Sequence, residues 1–127
     1  MFKKIFGSAP SSDSSLWEPL TSTEQLTALQ EQSATQPVLI FKHSTRCSIS
    51  SMALSRLKRA SEPLQEAGFK LVLLDLIRYR ELSNRIAEQF SVPHQSPQVV
   101  VVRDGKAIYD ASHTEIQPET LIAQQQP

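Results

Sequence analysis

The sequence predicts an α/β fold, a three-layer sandwich in which helices cover both faces of a mixed sheet of four to five strands. Three observations carry this prediction. Short apolar runs at residues 38–41, 70–75 and 99–102 have the length of strands that are buried on both faces. The segments between these runs show the three- and four-residue apolar spacing of amphipathic helices. Asp104-Gly105 marks a hairpin, because glycine tolerates the positive φ that such turns require.

The first helix and strand are indicated by a start signal and a composition change. Thr21-Ser22-Thr23-Glu24 fits a capping box, in which a threonine hydroxyl bonds the amide three residues on and Glu24 reaches back. We expect this helix to end by Thr35. Pro37 then separates it from the first buried strand, Val38–Phe41.

The second helix follows from Ser48. Its apolar residues recur at helical spacing and predict one amphipathic helix: Ile49, Met52, Ala53, Leu57, Ala60 and Leu64. Pro63 removes one hydrogen bond and should kink this helix, and Gly68 is suited to end it.

The second half of the chain repeats the alternation and closes with a hairpin. Tyr79, Leu82, Ile86 and Phe90 line one face of a further helix after the strand at 70–75. The two prolines of residues 92–97 (VPHQSP) forbid regular structure there. Residues 106–111 should pair back on the third strand, and Gln117-Pro118-Glu119 starts a last short helix. The first two strands, joined by a helix, should be parallel, and the last two antiparallel.

The length of 127 residues indicates one domain that buries roughly two thirds of its unfolded surface. Residues 8–15 form a polar tract, so we predict a flexible leader at 1–15 and the folded domain at 16–127. A net charge of zero gives no case for nucleic acid or membrane partners.

Cysteine usage and hydropathy suggest the compartment. One cysteine cannot form an internal disulfide, so a reducing compartment is expected. The amino-terminal MFKKIFGSAP lacks the apolar core of a signal peptide, and no run approaches the ~18 apolar residues of a membrane span. We therefore predict a cytoplasmic protein.

The single cysteine, Cys47, lies between the end of a buried strand and the start of a helix. Binding sites in open α/β sheets form beyond the carboxyl ends of strands, and unpaired amides at a helix start favour an anion. Because the thiolate is the attacking species, we predict that Cys47 is a nucleophile rather than an inert buried side chain.

Three polar neighbours are assigned to this thiol. Residues 32–61 contain five basic residues and no acidic one, whereas the rest of the chain has eight basic and thirteen acidic residues. Lys42 and Arg46 should stabilise the thiolate electrostatically, and Ser50, one turn along, could donate its hydroxyl hydrogen to the sulfur. A serine hydrolase is disfavoured because no G-x-S-x-G elbow is present, and no metal site is predicted because the histidines lack ligand spacing.

A second landmark is Ser96-Pro97, directly before the third strand. Proline permits a cis peptide bond here, and in this fold the loop should lie against the helix start that bears Cys47. Its backbone could hydrogen-bond an extended substrate chain, as in strand addition. We assign substrate binding to Thr45, Ser96 and Pro97 (cis).

These motifs together resemble those of a known family. FKHSTRCSISS at 41–51, HQSPQ at 94–98 and the later ASH resemble the monothiol bacilliredoxins of the bacillithiol system, which have a thioredoxin-like fold. The resemblance covers about residues 16–123. One position departs from it: many relatives carry proline directly after the cysteine, where this chain has Ser48.

The resemblance implies a thiol–disulfide oxidoreductase that removes bacillithiol from protein mixed disulfides. Cys47 would attack and take up the small thiol. With serine at position 50 no internal resolution is possible, so an external thiol must regenerate the protein. No cofactor is expected to be bound; the co-substrate is a low-molecular-weight thiol, and the partners are S-thiolated client proteins and the reductase system of that thiol. The alternatives are glutaredoxin-like deglutathionylation, an iron–sulfur carrier, and a thioredoxin-fold binding module without catalysis.

Overall fold

The computed structural model of the protein describes residues 16–125, and the predicted leader at 1–15 lies outside this range. Its strands are β1 (Glu18–Pro19), β2 (Val38–His43), β3 (Lys70–Asp75), β4 (Gln98–Arg103) and β5 (Lys106–Ser112). Its helices are α1 (Thr23–Gln32), α2 (Ser48–Arg59), α3 (Ser61–Glu66), α4 (Arg80–Phe90) and α5 (Pro118–Ala123), with a 3₁₀ turn at His113–Glu115.

The strands form one mixed sheet in the order β1-β3-β2-β4-β5. β2 pairs with β3 in parallel and with β4 in antiparallel orientation, and β4 and β5 form the predicted hairpin. Its turn residues Asp104 and Gly105 both have positive φ. The predicted α/β class and mixed sheet are therefore confirmed.

Helices cover both faces of the sheet because successive residues of β2 point in opposite directions. Val38 and Ile40 pack with α1 and α4 in one apolar cluster, whereas Leu39 and Phe41 pack with α2, α3 and α5 in the other. The three layers of the predicted sandwich follow from this alternation.

The helix start at α1 differs by one residue from the predicted capping box. The N-cap is Ser22, whose hydroxyl accepts from the amide of Gln25, and Gln25 Oε1 accepts from the amide of Thr21. Ser-x-x-Gln thus satisfies the free amides in place of Thr-x-x-Glu.

The predicted kinked helix is two helices. The chain leaves helical geometry at Ala60, three residues before Pro63. The reason is that a proline ring clashes with the carbonyl four residues earlier, here that of Arg59. Gly68 follows α3 with φ of 110° and ends it as expected.

Two small elements were not predicted. β1 is only two residues long and is a strand because it pairs with β3. The 3₁₀ turn at 113–115 has no apolar period to signal it.

Candidate active site

Cys47 is the N-cap residue of α2 and is partly exposed. Its extended backbone (φ −118°, ψ 123°) turns the chain from the loop into the helix, and its amide donates to the carbonyl of Ser44 at 3.2 Å. The first amides of α2 have no partner within the helix, and the Cys47 side chain makes no capping hydrogen bond to them. Cys47 therefore lies at the amino end of α2 in a partly exposed position, where a molecule can approach it.

Ser50 is fully buried in the first turn of α2, and its hydroxyl does not serve the sulfur. Ser50 Oγ accepts from the amide of Ser44 at 2.9 Å and lies 2.7 Å from Nδ1 of His43. Within residues 16–125 no hydrogen bond joins Ser50 to Cys47, so the predicted bond is replaced by one to the strand end. Ser50 fastens the 44–47 loop to the helix.

His43, the last residue of β2, completes this buried group. It is 8% exposed, and its ring stacks on Phe41 with centroids 5.8 Å apart. Burial is the main cause that lowers the pKa of His43 below 6.5; Lys58 lowers it further, and Asp75 opposes the shift. The neutral ring is the form that suits this site.

Lys42 lies on the other face of the sheet. Alternation along β2 directs its side chain with Val38 and Ile40, away from α2. Its Nζ is 3.1 Å from Nδ1 of His94 and 3.3 Å from Oε1 of Gln98. Burial lowers the pKa of Lys42 to about 8. The prediction treated Lys42 as a neighbour of the thiol; its contacts are instead with the loop before β4.

Thr45 and Arg46 precede Cys47, and both are exposed. They lie in the loop between the carboxyl end of β2 and α2, where a molecule approaching the sulfur would meet them. Arg46 is thus the basic residue of this group that stays on the thiol side of the structure. Within residues 16–125, no hydrogen bond or salt bridge joins the Arg46 guanidinium to another side chain.

The Ser96–Pro97 peptide bond is cis, and Pro97 is buried while Ser96 is partly exposed. In the β2–β4 register Lys42 lies opposite Gln98. The residues before Gln98 therefore lie at the same end of the sheet as the loop that leads to Cys47. The carbonyl of Pro97 accepts from the amide of His113 at 3.2 Å, which fixes the loop to the 3₁₀ turn.

Two apolar side chains on α2 are exposed beside Cys47. Ile49 is 47% exposed and Met52 is 62% exposed, although the spacing placed both on the buried face. Ala53 and Leu57 carry the contact with the sheet instead. Large apolar residues that are exposed near one another on a helix are typical of a contact surface.

Sequence reasoning missed Gln98 and His94 as parts of the site. The available signal was Lys42 itself, since a lysine inside a buried strand requires polar partners on the same face. Gln98 is the residue opposite it in β4. The contact between Lys42 and His94 could not be predicted, because it depends on the conformation of the irregular loop before β4.

The fold and the placement of Cys47 define a thioredoxin-fold protein with its thiol at a helix start. A protein assigned as a candidate oxidoreductase with a thioredoxin fold superposes with a TM-score of 0.77 at 26% identity, covering 91% of this chain and 98% of its own. Mitochondrial thioredoxin 3 from Saccharomyces cerevisiae gives 0.63 at 22% identity (90% and 96% covered). Thioredoxin from Malassezia sympodialis gives 0.66 at 17% identity (86% and 87% covered).

The family follows from the sequence match. The monothiol bacilliredoxin BrxC family matches residues 18–121, so this chain belongs to that family. Membership makes it a relative of thioredoxin-like thiol–disulfide oxidoreductases.

Two further observations concern residues 16–125. They hold no group of three or more His, Cys, Asp or Glu side chains placed to bind a metal ion. None of the helices in that range is long and apolar enough to cross a membrane.

Proposed function

We propose that this protein removes bacillithiol from protein mixed disulfides by a monothiol mechanism. The observation that carries the proposal is the position of the chain's single cysteine at the N-cap of α2, partly exposed, in a member of the monothiol bacilliredoxin family. A thiolate there can attack a disulfide, and no second cysteine can compete for the intermediate.

The reaction consists of two disulfide exchanges. The Cys47 thiolate attacks the bacillithiol sulfur of the mixed disulfide; a bond forms between these sulfurs, and the client cysteine leaves as a thiolate. A free bacillithiol thiolate then attacks the bacillithiol sulfur on Cys47. Bacillithiol disulfide forms, and Cys47 leaves as a thiolate. No net electron transfer to a bound cofactor is required, and the reductase system of the small thiol reduces the disulfide product.

The surroundings of Cys47 suit both partners. Ile49 and Met52 offer an apolar contact to an S-thiolated client, and Thr45, Ser96 and Pro97 could bind its extended backbone. Arg46 lies on the side from which the small thiol would enter, and a cation there suits the malate carboxylates of bacillithiol. A thiol of this kind is kept reduced in the cytoplasm, which we propose as the location.

The test is a competition between small thiols. A cysteine peptide is prepared as its bacillithiol and its glutathione mixed disulfide, and each is given to the protein with the matching free thiol. We expect faster release with bacillithiol, and with Cys47→Ser only the slow release that the free thiol gives without protein.

Faster reduction of the glutathione adduct would replace this proposal with glutaredoxin-like deglutathionylation. A wild-type rate equal to that of Cys47→Ser would favour a thioredoxin-fold module that binds without catalysis. Because serine and cysteine are similar in volume, we expect Cys47→Ser to fold. Its circular dichroism spectrum checks this.

A further inference from the structure

A buried polar group ties the loop before β4 to the middle of the sheet. Lys42 is fully buried, and its ammonium donates to Nδ1 of His94 and Oε1 of Gln98 at 3.1 and 3.3 Å. Among the described residues the one ion pair found is between Lys70 and Glu18. The partners of the Lys42 charge are therefore neutral groups.

The same group holds the loop at several points. Gln98 Nε2 donates to the carbonyl of Pro93 at 3.0 Å, and Gln98 Oε1 accepts from the amide of Gln95 at 3.4 Å. Ser83 Oγ of α4 lies 3.4 Å from the same Nδ1 of His94. The loop before β4 is thus bonded to Lys42 at two points, through His94 near its start and through Gln98 directly after its end.

Burying the Lys42 ammonium among neutral groups costs folding free energy. A charge buried without an opposite charge destabilises the folded state, whereas an apolar side chain of similar length would fill the same space without that penalty. An apolar side chain could not bond to His94 and Gln98. Loop fixation is what the ammonium contributes that a methionine could not.

We infer that Lys42 is a positioning residue: through His94 and Gln98 it fixes the loop that carries Ser96 and Pro97 and so sets how a substrate chain lies beside Cys47. This inference rests on the proposed function, because it deepens the substrate-binding role of that loop. It assigns Lys42 to substrate positioning rather than to the electrostatics of the thiol.

The charges around His94 agree with this role. Nδ1 of His94 must accept a hydrogen bond from the Lys42 ammonium, so its ring must be neutral. Partial desolvation of the ring is the first cause that lowers the pKa of His94, and the cations Lys42 and Arg80 lower it further. The groups bonded to Lys42 are His94 from the loop and Gln98 from β4, and Ser83 from α4 contacts His94.

The test compares a peptide with a small reagent in a single exchange step. A cysteine peptide carrying thionitrobenzoate as a mixed disulfide reacts with the Cys47 thiolate: the peptide sulfur bonds to Cys47, and thionitrobenzoate leaves as a coloured thiolate. Iodoacetamide measures the same thiol without using the loop. The variants are His94→Leu, which loses the acceptor, His94→Asn, whose Oδ1 can replace Nδ1, and Lys42→Met. His94 is exposed, so its variants leave the core intact.

We expect His94→Leu and Lys42→Met to react about tenfold more slowly with the peptide, the loss expected for one hydrogen bond to a charged group, while alkylation stays unchanged. His94→Asn should keep most of the peptide rate. In ¹⁵N spectra the hydrogen-bonded Nδ1 signal of His94 should shift to that of a free ring nitrogen in Lys42→Met.

Equal peptide rates in all four proteins, or an unchanged Nδ1 signal in Lys42→Met, would overturn the inference. So would a parallel loss of peptide and iodoacetamide rates, which would mean that Lys42 acts on the thiol. Because the assay uses no bacillithiol, a failure of the proposed function in the competition experiment leaves this result distinct.

Discussion

Ser50 stands where a dithiol protein would carry its second cysteine, and its environment explains what it does instead. The site that receives its hydroxyl is polar: the amide of Ser44 and Nδ1 of His43 both converge on it. Filling this site joins the end of β2 to the first turn of α2 on either side of Cys47. Ser50 therefore has a structural role in this loop, in addition to leaving this position without a second sulfur.

Replacing Ser50 with alanine should destabilise the fold. The change leaves the Ser44 amide and His43 Nδ1 buried without this partner, which costs about 1–3 kcal/mol of unfolding free energy. Urea unfolding measures the loss. Ser51→Ala is the matched control, because Ser51 is exposed one position along the same helix and should change stability by less than about 0.5 kcal/mol. Equal stabilities of the two variants would show that the buried hydroxyl is dispensable.

Lys42 should make stability depend on alkaline pH. Its pKa is about 8 in the folded state and 10.5 in the unfolded chain. Between these values the unfolded chain holds a proton that the folded protein has lost, so the unfolding free energy should rise with pH across this window. Lys42→Met should be more stable than wild type below pH 8 and lack this rise.

The measurement is urea unfolding of both proteins between pH 7 and 10.5. Taking the difference between them removes the contribution of other groups that titrate in the same range. A constant difference across the window would contradict the assignment of the buried ammonium. If Lys42→Met is more stable than wild type but reacts more slowly with the peptide, Lys42 contributes to function at a cost in stability.

The elements were predictable where packing and local chemistry agree. β3, whose side chains alternate between two buried faces, and the Asp104-Gly105 hairpin follow directly from apolar runs and turn residues. The division of the predicted helix at Ala60 was not foreseen, because a proline acts on a carbonyl a full turn earlier. The exposure of Ile49 and Met52 also escaped the helical period, since spacing alone cannot tell which end of a helix extends beyond the sheet.

The two glycines within residues 16–125 both have positive φ and offer a test at this scale. Gly68, which ends α3, has φ of 110°, and a Cβ there would lie 3.3 Å from Gln125 Nε2. Gly105 has φ of 76°, with no atom closer than 3.7 Å. Gly68→Ala should cost about 2–3 kcal/mol and Gly105→Ala about 1 kcal/mol in unfolding free energy. Thermal or urea unfolding that gives the opposite order would mean that the helix end is not fixed by Gly68.

At the scale of the whole molecule, the sheet topology gathers the site from distant parts of the sequence. β2 and β4 are antiparallel neighbours, so the loop after β2 and the loop before β4 meet at one end of the sheet. The sequence indicated Cys47 and Ser96-Pro97 as candidate site residues because each has a local signature. It could not identify the link through Lys42, His94 and Gln98, since that link depends on which faces of three elements point toward each other.

The proposed function requires that Cys47 take the small thiol from a client and be unable to release it alone. One equivalent of a bacillithiolated peptide, added to the reduced protein without free thiol, tests this directly by intact-protein mass spectrometry. We expect a protein that is heavier by one bacillithiol, stable until free bacillithiol is added, and an equal amount of free peptide thiol. A protein of unchanged mass, or one that carries the peptide in place of bacillithiol, would contradict it.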